Sequence, residues 1–329
     1  MHPWFDGLRR LRSAFPAVVG VYLLTLLMAL PLALTLRDTL QDHLGSSLAA
    51  NDAADAVNYD WWQEFSGQAS GLGTTFTPSI IGFATTLDSF SSLLDERALI
   101  TPIVAALAVY LLGWVFVAGG ILDRYARARR IGAYHFFAAS GTFFLRFLRL
   151  GIVAGIVYWL LFTYVHDWLF AKWYVSLTRD LSFERTAFYW RLLMYAIFVT
   201  LLAITTVVFD YAKVRAVVED RRSMAGALIA AVRFIVRHPL RVGVVAALNL
   251  LLFVVIVGVW ALVAPGARGS GLSMWATVVA SQLYIVARLV VKLQVFASET
   301  ALFQHSLAHW GYVASPAARQ PEPPAIEFS

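Results

Sequence analysis

The chain has 329 residues, of which 60% are hydrophobic and only 14% charged; its formal net charge is +6 and it has no cysteine. A water-soluble domain carries roughly 25% charged residues, so a fold of this composition, with a mean hydropathy of +0.69, cannot hide its apolar surface from water and must turn it towards lipid. Without cysteine there is no disulfide framework, thiolate metal site or cysteine nucleophile. The basic residues sit in short stretches beside apolar runs, which fits a membrane surface and not nucleic acid.

About 20 mostly apolar residues are needed to cross the hydrocarbon core. Six windows meet this, at about 15–36, 99–122, 150–171, 192–209, 242–264 and 274–297. They predict an all-α integral membrane fold with six transmembrane helices over 1–314. A disordered, Pro-rich tail follows over 315–329, with Pro316, Pro321, Pro323 and Pro324. The first window follows Arg9, Arg10 and Arg12, as a secretory signal would, but its apolar run is too long for one. Its end, Ala33-Leu34-Thr35-Leu36, also lacks a small-x-small cleavage site. It reads as an uncleaved span.

The loop 37–98 holds nine acids and two bases. Such length goes with a locally folded or functional segment. Asp60, Trp61, Trp62 and Glu64 form its candidate binding lip: indole rings to stack on a cation or sugar, and carboxylates to pair with it. The competing reading is an aromatic anchor at the headgroup level.

The stretch 123–149 carries six arginines against Asp123, and 210–241 carries seven bases against three acids. Basic connections mark the cytoplasmic side, which predicts a multi-pass protein of the bacterial cytoplasmic membrane with both termini inside. The connection 172–191, with four bases, runs against this. The two basic stretches also resemble each other. Asp123-Arg-Tyr-Ala-Arg127 with Arg146-Phe-Leu-Arg149 parallels Asp210-Tyr-Ala-Lys213-Val-Arg215 with Arg233-Phe-Ile-Val-Arg237. Their periodicity predicts amphipathic interfacial helices at about 133–148 and 213–238, and a further one over 298–312. In these, Arg146, Arg149, Arg222, Arg233 and Arg237 are candidate contacts for anionic lipid. A repeated unit of span, interfacial helix and span makes a pseudo-symmetric bundle, a common design in transporters.

No phosphate-binding loop, metalloprotease motif or nucleophile elbow occurs in the sequence. His305 and His309 have helical spacing, with Glu299 as a neighbour, but two histidines without a clear third ligand do not define a metal site. No catalytic group, metal or cofactor is therefore expected. Arg288 and Lys292 are the charges inside a span, where ionisable groups mark functional positions by default. They can equally anchor the sixth span at the inner interface, or pair there with Asp123, Asp210 or Glu219. Asn249 and Gln282 are the uncharged polar candidates, suited to hydrogen bonds between helices.

Phe209-Asp-Tyr-Ala-Lys-Val-Arg-Ala-Val-Val-Glu-Asp-Arg-Arg-Ser223, followed by Ala227-Leu-Ile-Ala-Ala-Val-Arg-Phe234, resembles a cytoplasmic segment of uncharacterised bacterial polytopic membrane proteins. These include relatives of the membrane domain attached to some glycerophosphodiester phosphodiesterases. The loop residues Asn58-Tyr-Asp-Trp-Trp62 and Phe76-Thr-Pro-Ser79 also look like proteins of this uncharacterised kind. The resemblance implies no site residue, and the phosphodiesterase catalytic domain is absent from this sequence. Two functions lead, and a third, an intramembrane enzyme, ranks behind them because no acid–base or nucleophile constellation can be named. One is a transport or permease-like component, with a separate subunit docking on the cytoplasmic face. The other is a non-transporting protein that organises anionic lipids or protein partners through its basic helices.

Overall fold

The computed structural model describes residues 2–45, 47, 49–55, 58–77, 83–127, 132–264 and 271–308, without the side chains of 53–55 and 85. Its elements in chain order are α1 (Pro3–Ser13), α2 (Phe15–Leu44), α3 (Ala49–Asp55), α4 (Tyr59–Gln68), a 3-10 turn (Gly71–Thr75), α5 (Phe83–Leu94), α6 (Thr101–Arg127) and α7 (Ala133–Leu160). Then come α8 (Val175–Thr178), α9 (Glu184–Val218), α10 (Met224–Arg237), α11 (Pro239–Val263) and α12 (Leu272–Ala308). No strand occurs among the described residues. Six helices are long and apolar enough to cross a membrane, so the fold is an all-α, multi-pass one that lives in a lipid bilayer.

Local chemistry sets the helix starts. Pro3, Pro16 and Pro239 stand in the first turns of α1, α2 and α11, where a missing N–H is no loss. Ser223 caps α10 by accepting from the Gly226 N–H at 3.3 Å, and Asn58 caps α4 by accepting from Trp61 at 3.0 Å. The bend between α9 and α10 puts Asp220 at φ 46°, a left-handed position in which Asp is tolerated. Its carboxylate takes Arg146 from α7 at 2.6 Å.

The helices outrun the apolar windows. α12 has 37 residues, about 55 Å at 1.5 Å per residue, against a hydrocarbon core of about 30 Å. Protein covers the surplus: Leu293, Phe296, Ala297, Ser298, Ala301 and Phe303 are fully buried or nearly so. α1 lies along this stretch, with α9, α10 and the start of α11 around it. This end, which also holds Arg124, Arg127, Arg146 and Arg215, is the basic end of the bundle, and the main core sits there. A second, smaller core of Leu169, Met194 and Phe198 lies towards the opposite end, between α9 and the continuation of α7. That continuation is wound more loosely, as two π-helical stretches, Leu161–His166 and Trp168–Tyr174.

Two expectations are corrected. Residues 133–148 are not a separate interfacial helix. They are the first half of α7, and Ser140, Phe143 and Phe147 are buried against α6. The segment 213–238 is not one helix either. Residues 213–218 complete α9, a turn follows, and only α10 is separate. The repeat is therefore partial: an Asp123–Arg127 pair at 2.7 Å ends α6 much as an Asp210–Lys213 pair at 2.8 Å approaches the end of α9, but only the second copy inserts a helix before the next span. The proposed helix over 298–312 is the end of α12 as far as Ala308; residues 309–312 and the tail 315–329 lie outside the described residues.

Small residues permit the closest approaches. A Cβ on Gly120 of α6 would sit 2.6 Å from the Ser140 hydroxyl and 2.8 Å from the Phe136 carbonyl of α7. Gly155 faces open space. Gly120→Ala should therefore lose about 1–3 kcal/mol through overpacking, whereas Gly155→Ala should leave stability unchanged or slightly raised. Thermal unfolding in detergent checks this; equal midpoints for the two variants would show that the α6–α7 contact is not close.

Candidate functional site

The best-defined group of ionisable side chains lies between α9 and α12 at the basic end. Asp210 is 2% exposed and accepts from the Lys213 ammonium, one turn along α9, at 2.8 Å; Lys292 of α12 stands 3.5 Å away on its other oxygen. Helical spacing produces the first contact, and the packing of α9 on α12 produces the second. Both ammonium groups also lie over the Phe296 ring, at 5.6 and 5.1 Å from its centroid, where the ring quadrupole favours them. Glu299, two turns beyond Lys292, is buried within electrostatic reach of Asp210, Lys213 and Lys292, and its Oε2 finds no hydrogen-bond partner. Nearby, Tyr158 of α7 forms a 2.7 Å hydrogen bond with Thr206 of α9. Two carboxyls and two ammoniums thus lie together, with Lys292 reaching outwards at 38% side-chain exposure.

One layer nearer the terminus, α1 is latched onto α12. The Trp4 indole donates to Asn249 at 2.9 Å, the Trp4 carbonyl accepts from Gln294 at 3.0 Å, and Asn249 donates to Ser298 at 2.9 Å. Gly7 makes the approach possible, since a Cβ there would lie 2.7 Å from Ser298 Cα. Arg10 bridges Asp6 at 2.9 Å, the Tyr125 carbonyl at 2.8 Å and Gln304 at 2.5 Å.

Of the sequence candidates, Lys292 joins the charged cluster through Asp210. Asn249 belongs to the α1 latch. Gln282 accepts from the Tyr22 hydroxyl at 2.9 Å and ties α2 to α12. Arg288 is exposed and lies 5.7 Å over the Tyr284 ring, apart from the cluster. Arg146 is a corrected lipid contact: Asp220 and the Phe143 ring hold it within the protein. Arg149, Arg222, Arg233 and Arg237 are exposed. On α10 the two arginines border an exposed apolar stripe of Ile229, Val232 and Val236, while Met224, Ala227, Ala231 and Phe234 face inwards. His305 lies 3.5 Å from Asp6, and His309 lies outside the described residues.

The outer lip is also corrected. Trp61 is buried, stacked on Phe65 at 5.4 Å, with its N–H directed to His43 Nδ1 at 3.1 Å. Trp62 donates to the Phe76 carbonyl at 3.0 Å. Both indoles tie α4 into this outer segment, and the buried Trp61 offers no free stacking platform. Asp60 and Glu64 are exposed on the opposite face.

Sequence reading missed the clasp at this far end. The Tyr195 hydroxyl donates to Asp95, Arg191 stands 3.6 Å from the same carboxylate, and the Ser91 hydroxyl donates to it at 2.8 Å. His166, in the π-helical stretch, bonds the Leu94 carbonyl at 2.8 Å. Apart from Ser91, the partners are 72–100 residues apart in sequence, so periodicity carried no sign of them. The hydrogen bond from Tyr195, then that from Ser91, holds the Asp95 carboxyl below its ordinary value of 3.8, against the opposing pull of burial.

No protein-family model, no curated protein and no solved structure matches the chain.

Two outcomes follow. Asp210→Asn strands two ammoniums beside a buried site, and breaking one side of a buried pair costs about 3–5 kcal/mol. Its thermal midpoint in detergent should fall well below that of Lys292→Met, whose ammonium is part-exposed. An Asp210→Asn midpoint at or above that of Lys292→Met would contradict the pairing. For Asp95, the folded carboxyl titrates below the unfolded one. Its contribution is complete at pH values above the ordinary carboxylate range and disappears as pH falls through the lowered value. The acid side of a midpoint-against-pH curve should flatten in Asp95→Asn.

Proposed function

We propose that the chain is a permease-like component of the bacterial cytoplasmic membrane, with the Asp210–Lys213–Lys292–Glu299 cluster as its proton-coupling site and no catalytic chemistry of its own. The observation that carries this reading is Glu299: a buried carboxyl with an unpartnered oxygen, next to an ion pair shared by two spans. A lone buried charge is costly, and ionisable groups at membrane depth mark relays and coupling sites. A carboxyl that gains or loses a proton here changes the balance between two acids and two lysines, and so the attraction between α9 and α12. Lys292 supplies the exposed edge through which a proton or ion enters. The orientation has its own support. α1 and the end of α12 pack together, so the first and last described helices lie at one end. The arginines gathered there support a cytoplasmic position for that end, since basic connections stay inside. Its basic surface is suited to a separate subunit. The likeness to uncharacterised bacterial membrane proteins belongs to this proposal and assigns no residue.

A second reading, a non-transporting organiser of anionic lipids or partners, is favoured by the α10 stripe of Ile229, Val232 and Val236 beside Arg233 and Arg237. That is the pattern of a helix lying in a headgroup layer.

Proteoliposomes loaded with a pH-sensitive dye separate the two. Under an imposed potential, the native protein should carry protons, and Glu299→Gln should abolish the flux while keeping the native elution profile. Flux absent from the native protein, together with vesicle binding that drops when Arg222, Arg233 and Arg237 are neutralised, would discard the coupling site and leave the second reading.

A further inference from the structure

A crevice of about 820 Å³ opens between the starts of α2 and α7 and the latter part of α6, away from the charged cluster. Its walls along α2 are Gly20, Val21 and Leu24, and along α6 Gly113, Phe116 and Val117. The two helices run in opposite directions, so the crevice has two chemically different ends. Leu24 meets Gly113 at the deep end, where a Cβ on the glycine would lie 3.3 Å from Leu24. At the basic end stand Arg12, Ser13 and Arg124. From Ser13 to Leu24, and from Arg124 to Gly113, eleven residues separate the ends, about 16 Å at helical rise. That is close to one leaflet of a hydrocarbon core of about 30 Å.

The charged end is built, with more than one positive element. Arg124 donates to the Ser13 carbonyl at 2.5 Å, which fixes its guanidinium across the junction of α1 and α2. Arg12 is exposed beside it. The first turn of α7 reaches the same mouth at Ala133, and its N-cap, Gly132, provides no side-chain cap. The N–H groups of a helix start favour an anion. Two guanidiniums and a helix N-terminus stand over an apolar slot one leaflet deep.

We propose that this crevice holds a single anionic phospholipid, with the phosphate between Arg12, Arg124 and the start of α7, and one acyl chain along Gly20, Phe116 and Gly113. The site is independent of the proposed coupling cluster and stands whether or not the protein moves a solute. Charge selects the lipid and the slot selects a chain, so a neutral phospholipid fills the slot without the headgroup contact. A water-soluble phosphate gains the headgroup contact without the slot.

The test uses the full chain in nanodiscs of equal phosphatidylglycerol and phosphatidylcholine, with retained lipid read by native mass spectrometry after mild activation. The native protein should keep one phosphatidylglycerol. Arg12→Gln/Arg124→Gln should bind it about 30-fold more weakly, the product of two near-surface cation attractions. Arg12→Gln alone, which leaves the Arg124–Ser13 bond intact, should show the smaller loss. Gly20→Leu should lose the lipid altogether while keeping the native thermal midpoint, because a Cβ on Gly20 meets nothing within 4 Å and the added side chain fills the slot. Phosphatidylcholine kept as firmly as phosphatidylglycerol would overturn the proposal. Undiminished phosphatidylglycerol in Gly20→Leu would do the same, as would soluble glycerol phosphate competing as well as the lipid.

Discussion

A carboxylate withdrawn from water must find cations, and Asp210 finds two, one on its own helix and one on α12. That requirement fixes how α9 and α12 meet. It sets the rotation of α12 and, through it, the face that α12 offers to α1. Gly7 can then close on Ser298 and Trp4 can reach Asn249. Within low-dielectric surroundings such a pair is held by geometry more than by net energy gain, and its value to the fold is specificity of docking. The basic end is ordered from this contact outwards.

The sequence carried the spans well because hydropathy is a property of single segments. It understated their length for the same reason. A window ends where charges begin, but a helix ends where its backbone loses partners, and the protein itself covers the overhang of α12 and α9. The arginine periodicity found α10 but merged it with the end of α9, because a polar face continues across the turn at Asp220. It read the start of α7 as interfacial because Phe136, Phe143 and Phe147 form an apolar stripe. That stripe meets α6 instead of lipid, and the signal for this was Gly119-Gly120, small residues that admit a second helix.

The charged cluster was half legible. Lys292 stood out as a charge in an apolar run, and Asp210 was among its expected partners. Glu299 was not expected there, since it falls beyond the apolar window and reads as an interfacial residue. The outer tryptophans left two readings open, a binding lip and an aromatic anchor, because composition shows that a side chain can stack, but not whether another ring already occupies it. Trp61 is taken by Phe65 and His43.

The packing of the molecule is divided. One cluster of buried side chains gathers at the basic end, and a separate one surrounds Leu169, Met194 and Phe198. Between them, side chains such as Leu107, Leu111, Ile152, Ile156, Ile204 and Val254 face outwards. Acyl chains therefore serve as mortar for the waist of the bundle. Solubilisation exchanges that mortar for surfactant tails, and the waist is then held by a few contacts such as Tyr22–Gln282 and Tyr158–Thr206.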